Sequence, residues 1–199
     1  MIPRSLAIAI AAMLLAALGM SFYVWRVRGR VAQPEPASYI PPIAPPSAGP
    51  MERVTLYVGY DDPGVLLPQM GMIPLPSDRQ QRGEELLRAL LDVYEAKSSP
   101  HVLGPGSEVR NLYLVDPGLA VIDLNSAFAD GHRSGVFVEE LTVISMVQTL
   151  TANIPGITRV KILVNGKERD TLAGHADLSR SYDISSVQEL VDDLRSASN

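Results

Sequence analysis

The hydrophobic pattern of the chain changes regime twice. From Leu6 to Trp25 it is unbroken, and "LAIAIAAMLLAALGMSFYVW" runs for twenty residues without a charge. A helix rising about 1.5 Å per residue would span roughly 30 Å over this length, the thickness of a hydrocarbon core. Tyr23 and Trp25 stand at one end, where amphipathic rings favour the membrane interface. The run predicts a single transmembrane anchor, helical over about 6–25; a cleaved leader ending near Ala17-Leu-Gly19 is the alternative. The second regime is "PEPASYIPPIAPPSAGP", Pro34 to Pro50, with seven prolines. Such a segment favours an extended polyproline conformation and would hold a following domain up to roughly 50 Å from the membrane.

The third regime has the short periods of a folded domain. "RVTLYVGY", Arg53 to Tyr60, alternates as a strand does. The proline- and glycine-rich "DDPGVLLPQMGMIPLP" after it reads as a loop. Ser77-x-x-Gln80 forms a candidate capping box for a helix that carries Leu86, Leu87, Leu90, Leu91 and Tyr94 on one face. Val109–Val115 and Leu119–Leu124 flank Asp116-Pro117-Gly118, which predicts a hairpin closed by a type II turn. Phe137, Leu141, Ile144 and Val147 recur at helical spacing, and Asn153-Ile-Pro155-Gly156 ends that helix. "RVKILV" predicts a strand, Asn165-Gly166 a two-residue turn, and the residues after it a short return. Ser186-x-x-Glu189 opens a small amphipathic helix with Val187, Leu190, Val191 and Leu194.

The expected architecture is α+β, one small sheet with helices packed on one face. The chain divides into an anchor with its basic flank (1–30), a proline-rich linker (31–50), a folded domain (51–184) and a C-terminal helical tail (185–199).

Charge sharpens this picture. Residues 1–50 hold Arg4, Arg26, Arg28 and Arg30 against one acid, Glu35. Of the chain's 17 basic and 22 acidic residues, 13 and 21 therefore fall in residues 51–199, a formal charge of −8. Phosphate backbones repel such a domain, so nucleic acid is not an expected partner. Arg26, Arg28 and Arg30 oppose an outward-facing domain by the positive-inside rule, although large domains translocate despite it. The absence of cysteine excludes disulfides, thiolate metal sites, a cysteine nucleophile and a lipid-modified cysteine.

No stretch completes a catalytic or ligand motif. The Gly166-Lys167 pair suggests a phosphate loop, but Lys161 stands where the first glycine belongs and Glu168 where Ser or Thr belongs. Gly104-Pro-Gly106 lacks the third glycine of a dinucleotide fingerprint, with Val109 in its place. His101 and His132 read as solvated loop residues, and His175-x-Asp177 supplies too few ligands for a metal. Ser145 and Thr149, at i and i+4, read as small polar residues permitting close helix packing. Adjacent Glu139 and Glu140 point about 100° apart and cannot jointly flank one bond. Asp123 is the least implausible catalytic carboxylate, with a hairpin-end acid the commoner role. The expectation is no catalytic site, no cofactor and no metal.

Four segments carry a family resemblance: "VTLYV", "LAVIDLNSAF", "EELTVISMVQTLTANIPGITRVKILVNGK" and "TLAGHADLS". Together they make residues from about Val54 to Tyr182 resemble the GerMN domain of bacterial sporulation and spore-germination proteins. This chain departs from the family in reading "DVYEAKSS" after its first helix, where a Gly-Pro is common. The resemblance implies an extracytoplasmic, non-enzymatic module in the cell envelope, with a fold like the ring-building motifs of secretion and sporulation complexes. It implies a single-pass membrane protein with partners among envelope proteins or peptidoglycan, and a capacity to form homo-oligomers. A peptidoglycan-binding or amidase-regulating module is the alternative; Tyr57, Tyr60, Tyr94 and Tyr113 are its candidate sugar contacts, though core packing suits most of them better.

Overall fold

The computed structural model describes residues 49–197 apart from 77 and 116, with side chains described as far as Val191, and three isolated positions (13, 19 and 21). The expected anchor over 6–25 otherwise lies outside the described residues, as does the proline-rich segment before residue 49. Among the described residues no helix is long and apolar enough to cross a membrane. The chain divides into Met1–Ile40 and Pro41–Asn199, and the fold below is that of the second unit.

Ten elements follow one another: β1 (Met51–Tyr60), β2 (Val65–Pro74), α1 (Arg79–Glu95), β3 (Val109–Val115), β4 (Leu119–Leu124), α2 (Ser126–Asp130), α3 (Val136–Asn153), β5 (Arg159–Val164), β6 (Tyr182–Asp183) and α4 (Ile184–Ala197). The class is α+β as expected, but there are two sheets where one was anticipated. β1 and β2 form an antiparallel pair, and the other four strands lie in the order β3-β4-β5-β6. β4 and β5 run parallel, with Ile122 opposite Ile162, so the chain must cross over between them, through α2 and α3.

The second sheet arises because the expected loop after β1 is a strand. Its prolines hid it, and the register shows why they are tolerated. Pro68 lies opposite Tyr57. The Tyr57 amide points away from β2 and donates to Thr149 Oγ1 at 2.9 Å. In an antiparallel ladder opposite residues either exchange two hydrogen bonds or none. Tyr57–Pro68 is thus a non-bonded pair, where the missing proline N–H costs no ladder bond.

Other boundaries move for local reasons. The side chain of Asp78 caps α1 by accepting from the Gln81 amide at 2.8 Å, one residue after the expected cap Ser77, which lies outside the described residues. Leu86, Leu87, Leu90, Leu91 and Tyr94 are all buried, as their spacing predicts. Phe137, expected in the core, is 61% exposed at the start of α3, whereas Leu141, Ile144 and Val147 are buried. The Asn165-Gly166 turn forms with both residues at positive φ, 51° and 70°. Its expected return strand shrinks to a single bridge, Val164 to Lys167. The short α2 and β6 gave no periodic signal, and α4 begins at Ile184, two residues before the expected Ser186.

The core gathers around α3, in which Leu141–Val147 are buried without a break. A helix enclosed so completely belongs at the centre of a domain. α1 lies beside it, and Gly83 lets β3 approach: a Cβ there would fall 2.2 Å from Leu112 Cδ2. Val187 and Val191 bring α4 into the same core. Each large side chain so enclosed contributes about 1.5–3 kcal/mol from removal of apolar surface from water.

Side chains complete both sheet edges. The Asn153 amide accepts from Thr55 N at 3.3 Å and donates to Thr55 O at 2.7 Å, and Tyr94 Oη accepts from Gly59 N at 2.9 Å. At β3 the Gln80 amide donates to Leu112 O and accepts from Leu114 N. Asn153→Ala should cost about 2–4 kcal/mol, because it strips two partners from the Thr55 backbone. Urea denaturation measures this, with Thr151→Ala as a control expected within about 0.5 kcal/mol of the parent. Gly166→Val should cost about 1–2 kcal/mol through its positive φ alone, since no atom crowds a Cβ there; an unchanged melting temperature would refute the turn's assignment.

Candidate functional site: a polar seam on the central helix

The buried helix α3 carries a row of polar residues, Glu139, Thr142, Ser145, Thr149 and Asn153. At about 100° per residue they fall within roughly a third of the helix circumference. Between them they reach several parts of the domain. Asn153 and Thr149 serve β1. Ser145 donates to the Thr142 carbonyl at 2.8 Å.

Glu139 is wholly buried at the N-terminal end of the seam. One carboxylate oxygen accepts from the amides of Ala173, His175 and Ala176, each at 2.9 Å. The other accepts from the Gly135 amide at 3.1 Å and lies 2.9 Å from His175 Nδ1. Burial alone would raise this carboxyl's pKa. The bonds from His175 and from the Ala173, His175 and Ala176 amides outweigh it and hold the group down to about 2. Glu139 thereby fastens the loop at 173–176 to the start of α3. Glu140, one position on, is raised by burial, with Arg180 opposing.

Thr142 is the centre of a second cluster. Its Oγ1 lies 2.6 Å from His101 Nε2 and 2.7 Å from His132 Nε2. His101 Nδ1 is 2.6 Å from Asp61 Oδ1, and His132 Nδ1 is 2.8 Å from the Arg133 carbonyl. Arg133 in turn reaches Asp61 Oδ2 at 2.7 Å. Both histidines are buried, which corrects their reading as solvated loop residues. Burial lowers the pKa of each; Asp61 counteracts it at His101, and the Arg133 carbonyl does so at His132. Asp61, His101 and Thr142 follow the connectivity of an acyl-transfer triad. A nucleophile must meet its substrate, however, and this hydroxyl is fully buried.

The other candidates take structural places. Asp123 is buried, accepting from the Gly166 amide at 2.6 Å and from Arg110 at 3.2 Å, so it ties the turn after β5 to β4. His175 turns to Glu139, while Asp177 accepts from Ser179. Gly104 sits against the Gly131 backbone, 2.4 Å from where a Cβ would stand. Tyr94 is buried and its hydroxyl pushed up to about 12 by burial; Tyr113 is exposed, and Tyr57 and Tyr60 are half-buried. Among the described residues no group of three or more His, Cys, Asp or Glu side chains is placed to hold a metal. A depression of about 320 Å³ beside Tyr60, Gln69 and Pro100 and one of about 190 Å³ beside Arg88, Glu95 and Glu108 are both lined without the buried histidines. Sequence reasoning noticed Ser145 and Thr149 but missed the longer seam. The signal was present: polar residues at intervals of three and four inside an apolar helix.

The profile of the Germane family, described as sporulation and spore germination, matches residues 55–170, more than half of the chain. The chain belongs to the Germane family. The first GerMN domain of the sporulation protein GerM from Bacillus subtilis matches this fold at TM-score 0.50 and 22% identity, over 67% of this chain and 98% of that one. The tandem GerMN domains of the same protein match at TM-score 0.48 and 23% identity, over 66% of this chain. This chain covers 46% of that tandem structure's length. A Clostridium perfringens protein described as a lipoprotein matches at TM-score 0.47 and 20% identity, over 73% of this chain and 95% of that one. No curated protein matches the sequence. The Germane match runs from within β1 to residue 170, just short of the loop that Glu139 holds, so it contains all five seam residues.

The seam gives a pH-dependent stability with a definite sign. Glu139 has a folded pKa near 2 against an ordinary value of 4.5, so its contribution is complete above about pH 5 and fades as pH falls towards 2. Glu139→Gln should lose about 3 kcal/mol at neutral pH. The gap to the parent should shrink to under about 1 kcal/mol by about pH 2.5 in thermal denaturation; a gap independent of pH would show that the charge is not what holds the loop.

Proposed function

We propose that this Germane-family chain is a membrane-anchored, extracytoplasmic and non-enzymatic interaction module of the bacterial cell envelope. The observation that carries this reading is the outer face of the β1–β2 pair. Met51, Met70 and Met72 are each at least half exposed there. Arg53 pairs with Met72 and Thr55 with Met70, which puts these side chains on one face of the ladder. Flexible, polarizable methionines clustered on a surface suit a docking face for protein. β2 also bears no charge in ten residues, within a domain whose net charge is strongly negative. Partner contact there avoids the repulsion that the rest of the domain would exert on an acidic neighbour.

The placement rests on the apolar run Leu6–Trp25 and the proline-rich segment after it, which together suit an anchor and a standoff. Partners are then envelope proteins, a second copy of this chain among them.

Two measurements test the reading. Protease added outside intact cells should digest the C-terminal domain of the full-length protein; protection until lysis would overturn the placement. Met70→Glu combined with Met72→Glu should reduce crosslinked envelope partners at least about tenfold while leaving the melting temperature nearly unchanged. Unchanged crosslinking, together with retention on purified peptidoglycan, would replace protein docking with glycan binding.

A further inference from the structure

The cluster around Thr142 poses a problem of hydrogen counting. His101 Nδ1 faces a carboxylate and His132 Nδ1 faces a backbone carbonyl, so each Nδ1 must carry a hydrogen to be bonded. Neutral imidazoles with hydrogen at Nδ1 have a bare lone pair at Nε2. Both Nε2 atoms lie within 2.7 Å of the same hydroxyl oxygen. That hydroxyl has one hydrogen to give, and the Val138 carbonyl at 3.1 Å competes for it. With both imidazoles neutral, at least one of the two short contacts sets lone pair against lone pair in a buried site. One additional proton resolves the conflict. An imidazolium His101 donates through Nε2 to Thr142 Oγ1, and Thr142 donates to His132 Nε2.

We infer that Thr142, His101, His132 and Asp61 form a proton-operated clasp, in which the Thr142 hydroxyl holds one histidine when both are neutral and both when the cluster has taken up a single proton. His101 is the residue that accepts it, because Asp61 faces its Nδ1 directly. The other groups around the cluster are accounted for. Tyr94 on α1 meets the His101 ring edge-on, with ring centroids 4.9 Å apart. Arg133 lies on the far side of Asp61 and disfavours charge on His101, while His101 disfavours charge on His132, and Glu139 on α3 and Asp61 act on His132 in the opposite sense. The mutual opposition of the two imidazoles limits uptake to one proton.

The clasp joins four separate segments: the turn after β1, the loop between α1 and β3, the connection from α2 to α3, and α3 itself. The Asp61 amide also donates to the Pro100 carbonyl at 3.1 Å, so the turn and the His101 loop already touch. Releasing either histidine loosens the attachment of its loop to α3. Burial sets the range, since uptake falls below the ordinary imidazole value of 6.5. The unfolded chain then binds the proton first, so stability of the whole domain falls with pH even as the clasp closes. The device therefore controls local order. It rests on side-chain geometry and stands or falls independently of the proposed envelope role.

The test is nitrogen NMR of the full-length chain labelled with 15N-histidine, from about pH 8 to about pH 5. His175, outside the cluster, serves as the reference. At the upper limit both buried imidazoles should be neutral with hydrogen at Nδ1. At the lower limit His101 should be an imidazolium and His132 still neutral, its Nε2 resonance moving at the same midpoint as His101 titrates. Thr142→Ser keeps the hydroxyl and should preserve this coupled response; Thr142→Val should abolish it. Two imidazoliums, or none, in the folded chain at the lower limit would overturn the inference. So would a His132 response that survives Thr142→Val. The parent's proton count decides the matter even if the valine variant does not fold.

Discussion

A helix enclosed on nearly every side has no water to satisfy its polar side chains, and every such group must find a partner inside the protein or cost stability. That constraint organises this domain. α3 places a charged carboxylate, a serine and two threonines in the interior, all buried, and ends in a half-buried asparagine. The partners come from regions far apart in the chain: β1, the His101 loop, the connection before α3 and the loop at 173–176. A hydrophobic face packs against any neighbour of suitable shape. The seam accepts only neighbours that present the right donor or acceptor at the right height. It thus selects one arrangement of loops around the helix from the many that burial alone would allow.

The same economy explains how two small sheets persist in one domain. A strand edge exposes unpaired amides and carbonyls that invite association. Here amide side chains stand in for absent strands, Asn153 beside β1 and Gln80 beside β3. An amide copies the donor–acceptor spacing of a peptide group, so one side chain can occupy the place of one residue of a neighbouring strand. Both come from helices, and each therefore fixes a helix to a sheet as well as closing an edge. Thr149 and Tyr94 extend this at β1 with hydroxyls, placing its register under the control of α3 and α1 together.

Chemistry and surface are separated in this molecule. Glu139, His101 and His132 lie in the interior and bind segments of the chain to one another. The methionine-bearing face, with its uncharged strand β2, lies outside, on the β1–β2 pair. Membership in the Germane family is compatible with many different surfaces.

Much of the scaffold was legible from local periodicity. The stripe Leu86–Tyr94, the hairpin around Pro117-Gly118, the end of α3 at Asn153 and the Asn165-Gly166 turn all follow from backbone preferences acting over a few residues. Local rules failed where a neighbour distant in sequence changed what a residue could afford. Pro68 reads as a breaker until Thr149 takes the Tyr57 amide and leaves the facing position in need of no donor. His101 and His132 read as loop histidines until α3 brings Thr142 between them. Glu139 reads as one of two adjacent acids on a helix until the amides of Ala173, His175 and Ala176 close around it. The sequence alone determined most of the elements, β2, α2 and β6 excepted, together with the turns and the family motif, because those depend on torsional preference and spacing along the chain. Only the tertiary structure decided which polar residues are buried and what they hold, because a hydrogen bond is set by distance in space and periodicity is blind to the partner.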